Sequence, residues 1–370
     1  MSQSKYQKTC SNGDIYFTQP VDRISALPNK VLYNILVNLS TEGAVSTSIL
    51  SQRWKYVWIG LPVLNFTNFP LSTTENPFNK QQYVCYKNFI NRVLFLSNVD
   101  CLERVHLECH IGFSPSNVSE WIFILAKRCV KELCLAINLC STIKLAPRLL
   151  QSDELVVLKL EDACDPFTSF LSGCPVLEEL NIDMCEGIDE FLVCSSSLKA
   201  LRIVSKARLE VSTSTVRWVK LLQRFQCLQR LTLHRIILDG FNLVNQLPIF
   251  CNLTNLQFDI PFNCIFLVVF DWPEIMPRSK EFALERVEFL YFDIDQGHLE
   301  IMRFFLSNSK LLKELKIHIQ HWVSPVTEIH VLKRLLDLPR ASTMCQIAIV
   351  SRDDDNMSED TGSESDYTSG

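Results

Sequence analysis

The cysteines are the residues of this chain with the most possible chemical roles, because thiolates bind metals, form disulfides and act as nucleophiles. The 370 residues include 15 cysteines and 7 histidines. Four residues separate Cys129 from Cys134, five separate Cys134 from Cys140, and Cys109 adjoins His110. A zinc site normally needs a second close pair of ligands, and the sequence has none. The spacing therefore favours ordinary thiols over a metal site.

Motifs that carry catalytic chemistry are missing from the sequence. It contains no phosphate-binding G-x-x-x-x-G-K-[ST] or G-x-G-x-x-G loop, no H-E-x-x-H and no C-x-x-C. A Ser/His/Asp arrangement is recognised by geometry, and nothing in the order of residues nominates one. We predict no catalytic residue, no metal and no cofactor. An unrecognised enzyme on a repeat scaffold is the alternative.

Composition indicates a folded body with little net charge. Hydrophobic residues make up 47% of the chain, enough for a substantial core. The formal net charge is −5, of which the segment 351–370 contributes −6, so the rest is near +1. Residues 1–350, with so little net charge, lack the positive electrostatic field that is typical of a nucleic-acid-binding protein. No secretory signal or membrane span is visible, so we expect a cytoplasmic or nuclear protein whose cysteines are reduced and mostly in the core.

The acidic segment 351–370 shows no apolar periodicity and is predicted to be disordered and solubilising. Thr361 and Ser363 each precede an acid by three positions, a pattern that acidophilic casein-type kinases favour. Phosphorylation of this tail is the alternative to a purely solubilising role.

A repeat runs through the middle of the chain. The pattern apolar-x-x-apolar-x-apolar begins at nine positions about 26 residues apart, within the range of leucine-rich repeats. These positions are Leu102, Val130, Leu155, Leu177, Leu198, Leu228, Leu253, Leu284 and Leu312. The last two apolar residues of each motif share one side of a short strand, so stacked strands can bury a common core. Helical patterns at 118–126 and 216–225 fit between strands. A general α/β sheet with leucine-rich strands is the alternative.

The segment 22–58 predicts three short helices before the repeats. Pro28 suits a first helical turn. Ser40 or Thr41 can cap a second helix, and Ser51 a third. A stripe at helical spacing comprises Val31, Leu32, Ile35, Leu36 and Leu39. So small a unit has difficulty burying this much apolar surface alone, which indicates a partner or, alternatively, a capping module for the solenoid.

The same residues resemble the F-box of the large plant F-box/leucine-rich-repeat family. The family pattern D-R-I-S-x-L-P, I-L, A-V-x-T-S-x-L-S-x-R-W and W is matched between Asp22 and Trp58. Asn29 replaces an acid, Ser40-Thr41-Glu42 replaces Pro-Thr-Lys, and Gly43 weakens the second helix start. The segment 170–182 is similar to the family's mid-chain repeat. The segments 299–317 and 335–345 are similar to its C-terminal FBD segment.

The predicted fold is α/β: a short three-helix F-box, then an irregular leucine-rich-repeat solenoid closed by an FBD-like unit. The predicted segments are a flexible N-terminus (1–20), the F-box (21–66), leucine-rich repeats (67–276), an FBD-like segment (277–350) and a disordered acidic tail (351–370).

The resemblance implies a non-catalytic substrate receptor. Its F-box would bind a Skp-family adaptor and, through it, a cullin–RING scaffold. The adaptor-binding residues would be Leu27, Pro28, Val31, Ile35, Leu36, Leu50, Arg53 and Trp54. A leucine-rich-repeat binding or scaffold protein that engages no ligase is the alternative.

A target is expected on the open face of the repeats, where strand residues point away from the core. The target could be a protein or a small molecule. The candidate residues are Lys159, Glu161, Glu179, Asn181, Arg202, Arg230, Thr232, His234, Glu314 and Lys316.

Overall fold

The computed structural model describes residues 24–67, 80–110, 112–137, 147–162, 174–185, 197–205, 227–234, 252–259, 283–292, 296–319, 329 and 333–351. The chain divides into two units, Met1–Leu107 and Glu108–Gly370. The predicted N-terminal segment 1–20, the helical pattern at 216–225, Cys140 and the acidic tail beyond Ser351 lie outside the described residues.

Two short α-helices open the first unit. Helix α1 (Asn29–Leu36) follows Pro28, and its leucines Leu32 and Leu36 are buried. Helix α2 (Thr41–Ser46) follows Ser40, whose Oγ accepts a hydrogen bond from the backbone N–H of Gly43 at 3.1 Å. This cap satisfies one of the free N–H groups at the helix start, as the sequence predicts for Ser40.

Two 3₁₀ segments follow α2, Thr47–Ile49 and Trp54–Gly60, and the second of them stands in place of the third predicted helix. The second of them buries Trp54, Val57 and Trp58. It ends at Gly60, and the next residue, Leu61, is extended because Pro62 follows it and disfavours a helical conformation there. At seven residues this segment is longer than the three or four residues that 3₁₀ runs usually contain.

Replacing Ser40 with alanine is expected to destabilise the protein by about 1 kcal/mol, because the cap of α2 is lost. Ser46→Ala in the same helix is the control, since Ser46 is exposed and its hydroxyl only donates back to the carbonyl of Glu42. Urea unfolding of both variants measures the difference. Equal midpoints for Ser40→Ala and Ser46→Ala would contradict a stabilising cap.

The first unit continues with β1 (Val63–Phe66), α3 (Lys80–Leu96) and β2 (Arg104–Cys109), within which the division between the units falls. Strand β1 pairs in parallel with β2, with Leu64 beside Val105. The sequence prediction missed β1, although Leu61, Leu64 and Phe66 have the spacing of the repeat motif. The repeat pattern therefore starts one strand before Leu102.

The described part of the second unit contains nine parallel strands, each separated from the next by a longer stretch of chain. Helices α4 (Pro115–Leu125) and α5 (Pro147–Leu150) precede and follow the first of these strands, and α6 (Gln296–Asn308) lies between the ninth and tenth strands of the chain. Strands β3 to β11 lie side by side in sequence order and do not close on themselves. The strands are β3 (Glu132–Ile137), β4 (Val157–Glu161), β5 (Glu179–Cys185), β6 (Ala200–Ser205), β7 (Arg230–His234), β8 (Asn255–Asp259), β9 (Arg286–Phe292), β10 (Glu314–Ile319) and β11 (Gln346–Ser351).

The core of this sheet consists of the repeat motifs. A strand accompanies each of the nine predicted motifs, and the three apolar positions of each motif are buried. In β4, for example, Leu155, Leu158 and Leu160 are all buried. Neighbouring motifs are in register, so Leu158 lies beside Leu180 on the next strand. The mixed α/β fold with many parallel strands is therefore confirmed.

Aromatic side chains fill the core near α6. The ring centroids of Phe258 and Phe289 are 4.7 Å apart, and Phe305 lies 5.9 Å from Phe258 and 6.4 Å from Phe289. All three side chains are buried. They connect α6 and β9, in the part of the chain predicted to be FBD-like, with β8 at the end of the predicted leucine-rich repeats.

Strand β11 is a second strand that the repeat motif did not predict. It pairs with β10 in register, with Ile347 beside Leu315. The hydroxyl of Ser342 donates to the carbonyl of Leu312 at 2.6 Å, which attaches the segment before β11 to the segment before β10. Closure of the solenoid by the FBD-like segment stays a prediction.

Candidate functional site

Helix α1 has two apolar faces. Leu32 and Leu36 lie on the buried face. Val31 and Ile35, four residues apart on the other face, are 39% and 45% exposed, and Leu39, three residues beyond the end of α1, is 41% exposed. A helix this apolar on both sides buries only one of them within its own unit, so the second face is free to bind a partner.

Further large apolar side chains are exposed in the same segment of the chain. Ile49 is 90% exposed, Leu50 62% and Tyr56 60%. We call the seven residues Ile24, Val31, Ile35, Leu39, Ile49, Leu50 and Tyr56 the exposed apolar set. Protein surfaces normally expose large apolar side chains singly, whereas here seven of them are exposed within 33 positions of the sequence.

Several predicted adaptor-binding residues belong to the interior or hold the segment together. Leu36 and Trp54 are buried, and the indole N–H of Trp54 donates to Ser25 Oγ at 3.0 Å. Arg53 is exposed, but its guanidinium donates to the carbonyls of Ser25 and Leu27 and, at 3.0 Å, to Asn29 Oδ1. These contacts attach the chain before α1 to the 3₁₀ segments. We therefore assign Leu36, Arg53 and Trp54 to positioning rather than to direct contact.

The other predicted residues are accessible. Pro28, Val31, Ile35 and Leu50 are exposed, and Leu27 is half-buried. The prediction did not include Ile24, Leu39, Ile49 and Tyr56, which are also exposed. Only Leu39 had a sequence signal, since it continues the spacing of Val31 and Ile35.

The outward side of the sheet in the second unit carries aligned polar rows. In the central row, residues lie directly beside one another on neighbouring strands. From β3 to β10 this row comprises Cys134, Lys159, Asn181, Arg202, Thr232, Gln257, Glu288 and Lys316. Thus five predicted target-binding residues, Lys159, Asn181, Arg202, Thr232 and Lys316, form part of one continuous row.

The other predicted target-binding residues flank this row. Glu179, Arg230 and Glu314 lie at the starts of their strands, two positions before the central row. Glu161 and His234 lie two positions after it. Most of these side chains are half-buried; Arg230 is exposed.

Charges over β5–β7 neutralise one another. Arg230 on β7 lies 3.8 Å from Glu179 on β5, although β6 runs between them. The residue beside both on β6 is Ala200, which is small enough for the guanidinium to pass over it. The Arg202 guanidinium is 3.5 Å from Asp183, and the Asn181 amide donates to Glu179 at 3.1 Å. We call these residues the β5–β7 charge cluster.

A second charge cluster lies on β9 and β10. The same oxygen of Glu288 is 2.6 Å from His318 Nε2 and 3.2 Å from Lys316 Nζ. Burial disfavours ionisation of Glu288, but the hydrogen bonds from His318 and Lys316 outweigh it and lower its pKa. Arg286 and Glu314 form a further pair at 2.6 Å. We call these five residues the β9–β10 charge cluster.

Strand β8 lies between the two clusters, and the central-row residues of β7 and β8, Thr232 and Gln257, are uncharged. The hydroxyl of Thr232 donates to Gln257 Oε1 at 3.1 Å. Asn255, two positions before Gln257 on β8, is half-buried like its neighbour. An uncharged stretch of hydrogen-bonding groups therefore occupies the middle of the row.

Cysteines divide between core and surface. Cys109, Cys174 and Cys345 are buried, as predicted for core thiols. Cys85, Cys101, Cys129 and Cys227 are exposed, so for them the prediction was wrong. These four precede the strands or lie on helix α3, where the apolar periodicity does not require burial. Among the described residues no three His, Cys, Asp or Glu side chains converge as metal ligands.

Cys134 combines partial burial with a negative neighbour. Burial and the Glu161 carboxylate, whose Oε1 accepts from the thiol at 3.6 Å, raise the pKa of Cys134 to about 12. At about pH 8 the reactive thiolate is therefore scarce, and Cys134 is expected to resist iodoacetamide while the exposed Cys227 is alkylated.

Peptide mapping by mass spectrometry of the folded protein checks this difference. Glu161→Gln removes the negative neighbour and is expected to accelerate labelling of Cys134 without changing that of Cys227. Equal labelling of the two thiols in the wild type would contradict the assigned environment.

Within the described residues, no helix is both long enough and apolar enough to span a bilayer.

Comparison with known proteins finds relatives but no matching family model. A putative F-box/LRR-repeat protein of Arabidopsis thaliana is 33% identical over 55% of this chain and 55% of its own length. An F-box/LRR-repeat protein of the same plant is 32% identical over 49% of this chain and 43% of its own. A putative FBD-associated F-box protein is 29% identical over 49% and 50%. The chain spans about half the length of the curated relatives it matches.

Proposed function

We propose that this chain is a substrate-recognition subunit of a Skp–cullin–F-box ubiquitin ligase. Its first unit binds a Skp-family adaptor, and the polar face of its sheet binds a target. The observation that carries the proposal is the exposed apolar set, which lies in the segment whose sequence resembles an F-box. The names of the Arabidopsis relatives agree with that resemblance.

The exposed apolar set has the composition of an interface centre. Large apolar side chains exposed together gain affinity when a partner removes them from water. Val31 and Ile35 project from α1, while Leu50 and Tyr56 project from the 3₁₀ region. The network of Arg53 and Trp54 holds these two parts in a fixed relation, so little conformational entropy is lost on binding.

In this role the chain itself catalyses nothing. It raises the effective concentration of a bound target near a conjugating enzyme held elsewhere on the cullin–RING scaffold. Such a role takes place in the cytoplasm or the nucleus, where thiols stay reduced.

The second candidate function is a leucine-rich-repeat binding or scaffold protein that engages no ligase. Asn29 favours it, because the family carries an acid at this position. Here the Asn29 amide oxygen accepts from Arg53 at 3.0 Å and adds no negative charge to the surface. An adaptor that relies on that charge would bind this chain less tightly.

Co-purification of the full chain with a plant Skp-family adaptor separates the two functions. The wild type is compared with a Leu27→Ala, Pro28→Ala double variant, which alters the accessible start of α1. Binding by the wild type and its loss in a folded variant support the ligase function. A folded wild type that retains no adaptor refutes it in favour of the scaffold function.

A further inference from the structure

On the outward, polar face of the sheet, strand β8 differs from the two charge clusters beside it because its side-chain amides have hydrogen-bonding atoms without partners among the described residues. In the β5–β7 and β9–β10 charge clusters, acids and bases already bind one another at 2.6 to 3.8 Å. Strand β8 lies between them and presents Asn255 and Gln257. A partner gains little from displacing the internal ion pairs at either end, because each displaced charge would need a new counterpart.

The two amides on β8 retain most of their bonding capacity. A side-chain amide has one oxygen acceptor and two N–H donors. Gln257 Oε1 accepts from Thr232, while no residue in the described parts of the chain binds Gln257 Nε2 or the Asn255 amide. Both side chains are half-buried, which limits the number of rotamers they lose on binding.

The spacing of these amides corresponds to that of an extended peptide. Asn255 and Gln257 are two positions apart on one strand, which places their backbones about 6.6–6.8 Å apart. In an extended peptide, the N–H and C=O of every second residue point to the same side and repeat at the same distance of about 6.6–6.8 Å. Each side-chain amide can donate to the C=O and accept from the N–H of one such residue.

We propose that Asn255 and Gln257 bind the backbone of an extended, uncharged segment of the target polypeptide, which lies lengthwise along β8. Thr232 orients the Gln257 amide by donating to its oxygen, so that Nε2 faces the peptide. This inference rests on the proposed target-receptor function and identifies the class of target. A peptide with a strong net charge is disfavoured, because the neighbouring clusters are internally neutral and offer it no free counter-charge.

Selection from a displayed library of random 12-residue peptides tests the proposal on the immobilised full chain. A double variant, Asn255→Leu with Gln257→Met, serves as the comparison protein because it keeps the side-chain sizes and removes both amides. Recovered peptides are then measured by fluorescence anisotropy. We expect the double variant to bind the peptides about a hundredfold more weakly, because each lost side-chain amide removes two hydrogen bonds to the peptide backbone and costs about tenfold in affinity. Raising NaCl from about 50 to about 500 mM is expected to change affinity less than threefold.

Two controls assign any loss to the backbone contacts. Glu120→Gln, which changes an exposed acid on α4 outside the polar rows, is expected to change affinity less than twofold. N-methylation of two alternate peptide residues is expected to abolish binding, while alanine at the same residues is tolerated. Equal melting temperatures show that the double variant is folded. The proposal is overturned if no peptide is enriched, if the double variant binds recovered peptides normally, or if affinity depends strongly on salt.

Adaptor binding is measured on the same preparation. A chain that binds the adaptor but enriches no peptide refutes this inference and leaves the ligase function standing. A chain that enriches backbone-dependent peptides but binds no adaptor supports this inference and refutes the ligase function.

Discussion

A Val31→Asp, Ile35→Asp variant is expected to bind a Skp-family adaptor at least about a hundredfold more weakly than the wild type, with a melting temperature within about 3 °C of it. Val31 and Ile35 are 39% and 45% exposed on α1, so carboxylates there remain hydrated in the free protein. In a complex the two carboxylates would be buried against apolar side chains without a counter-charge, which costs far more than the lost contacts.

Val84→Asp provides the matched control. Val84 is also 39% exposed and also lies on a helix of the first unit, α3, outside the exposed apolar set. Isothermal titration with the purified adaptor is expected to give wild-type affinity for Val84→Asp. Equal weakening by Val84→Asp and by the α1 variant would mean that general acidity, and not the α1 surface, decides binding.

Phe289→Ala is expected to lower the free energy of unfolding by about 3–5 kcal/mol. Phe289 is 1% exposed and contacts the rings of Phe258 and Phe305, so its removal leaves a cavity between β8, β9 and α6. Ring–ring contacts add about 0.5–1.5 kcal/mol beyond area burial. Guanidinium unfolding followed by circular dichroism measures the change.

The control for this variant is Phe123→Ala. Phe123 is 48% exposed on α4, where Lys127 Nζ lies 4.1 Å from its ring centroid. Its loss is expected to cost less than about 1 kcal/mol, which includes the exposed cation–π contact. A Phe258→Ala, Phe289→Ala double variant is expected to be less destabilised than the sum of the two, because both rings line one space. Additive losses would contradict a shared cluster.

Several features of the chain follow from its sequence because their causes are local. The repeat motif predicts the nine strands β2 to β10, since alternate apolar residues must share one side of an extended segment. The cap of α2 follows from Ser40, whose hydroxyl reaches a backbone N–H only three residues away. The likeness to F-box/LRR-repeat proteins is visible in residues at fixed spacing and is supported by the Arabidopsis relatives.

In the first unit, the periodicity of apolar residues does not determine which of them are buried. One apolar stripe includes Val31, Leu32, Ile35 and Leu36, yet only Leu32 and Leu36 are buried. Residues one position apart on a helix point about 100° from each other, so a wide stripe can serve a core and a partner at once. Which half faces inward depends on how α1 packs on the 3₁₀ segment that contains Trp54. The exposure of Ile49 and Tyr56 likewise depends on that packing.

The pairing of charges on the polar face depends on tertiary structure in the same way. Glu179 and Arg230 are far apart in sequence and meet across β6 only because the strands stack in register and Ala200 lies between them. Sequence alone determined that polar residues alternate with the buried leucines on each strand. It could not determine which of them become neighbours, because connections of different lengths separate the strands and the register between strands is set by the shared core. The uncommitted amides of Asn255 and Gln257 therefore became visible only in the folded sheet.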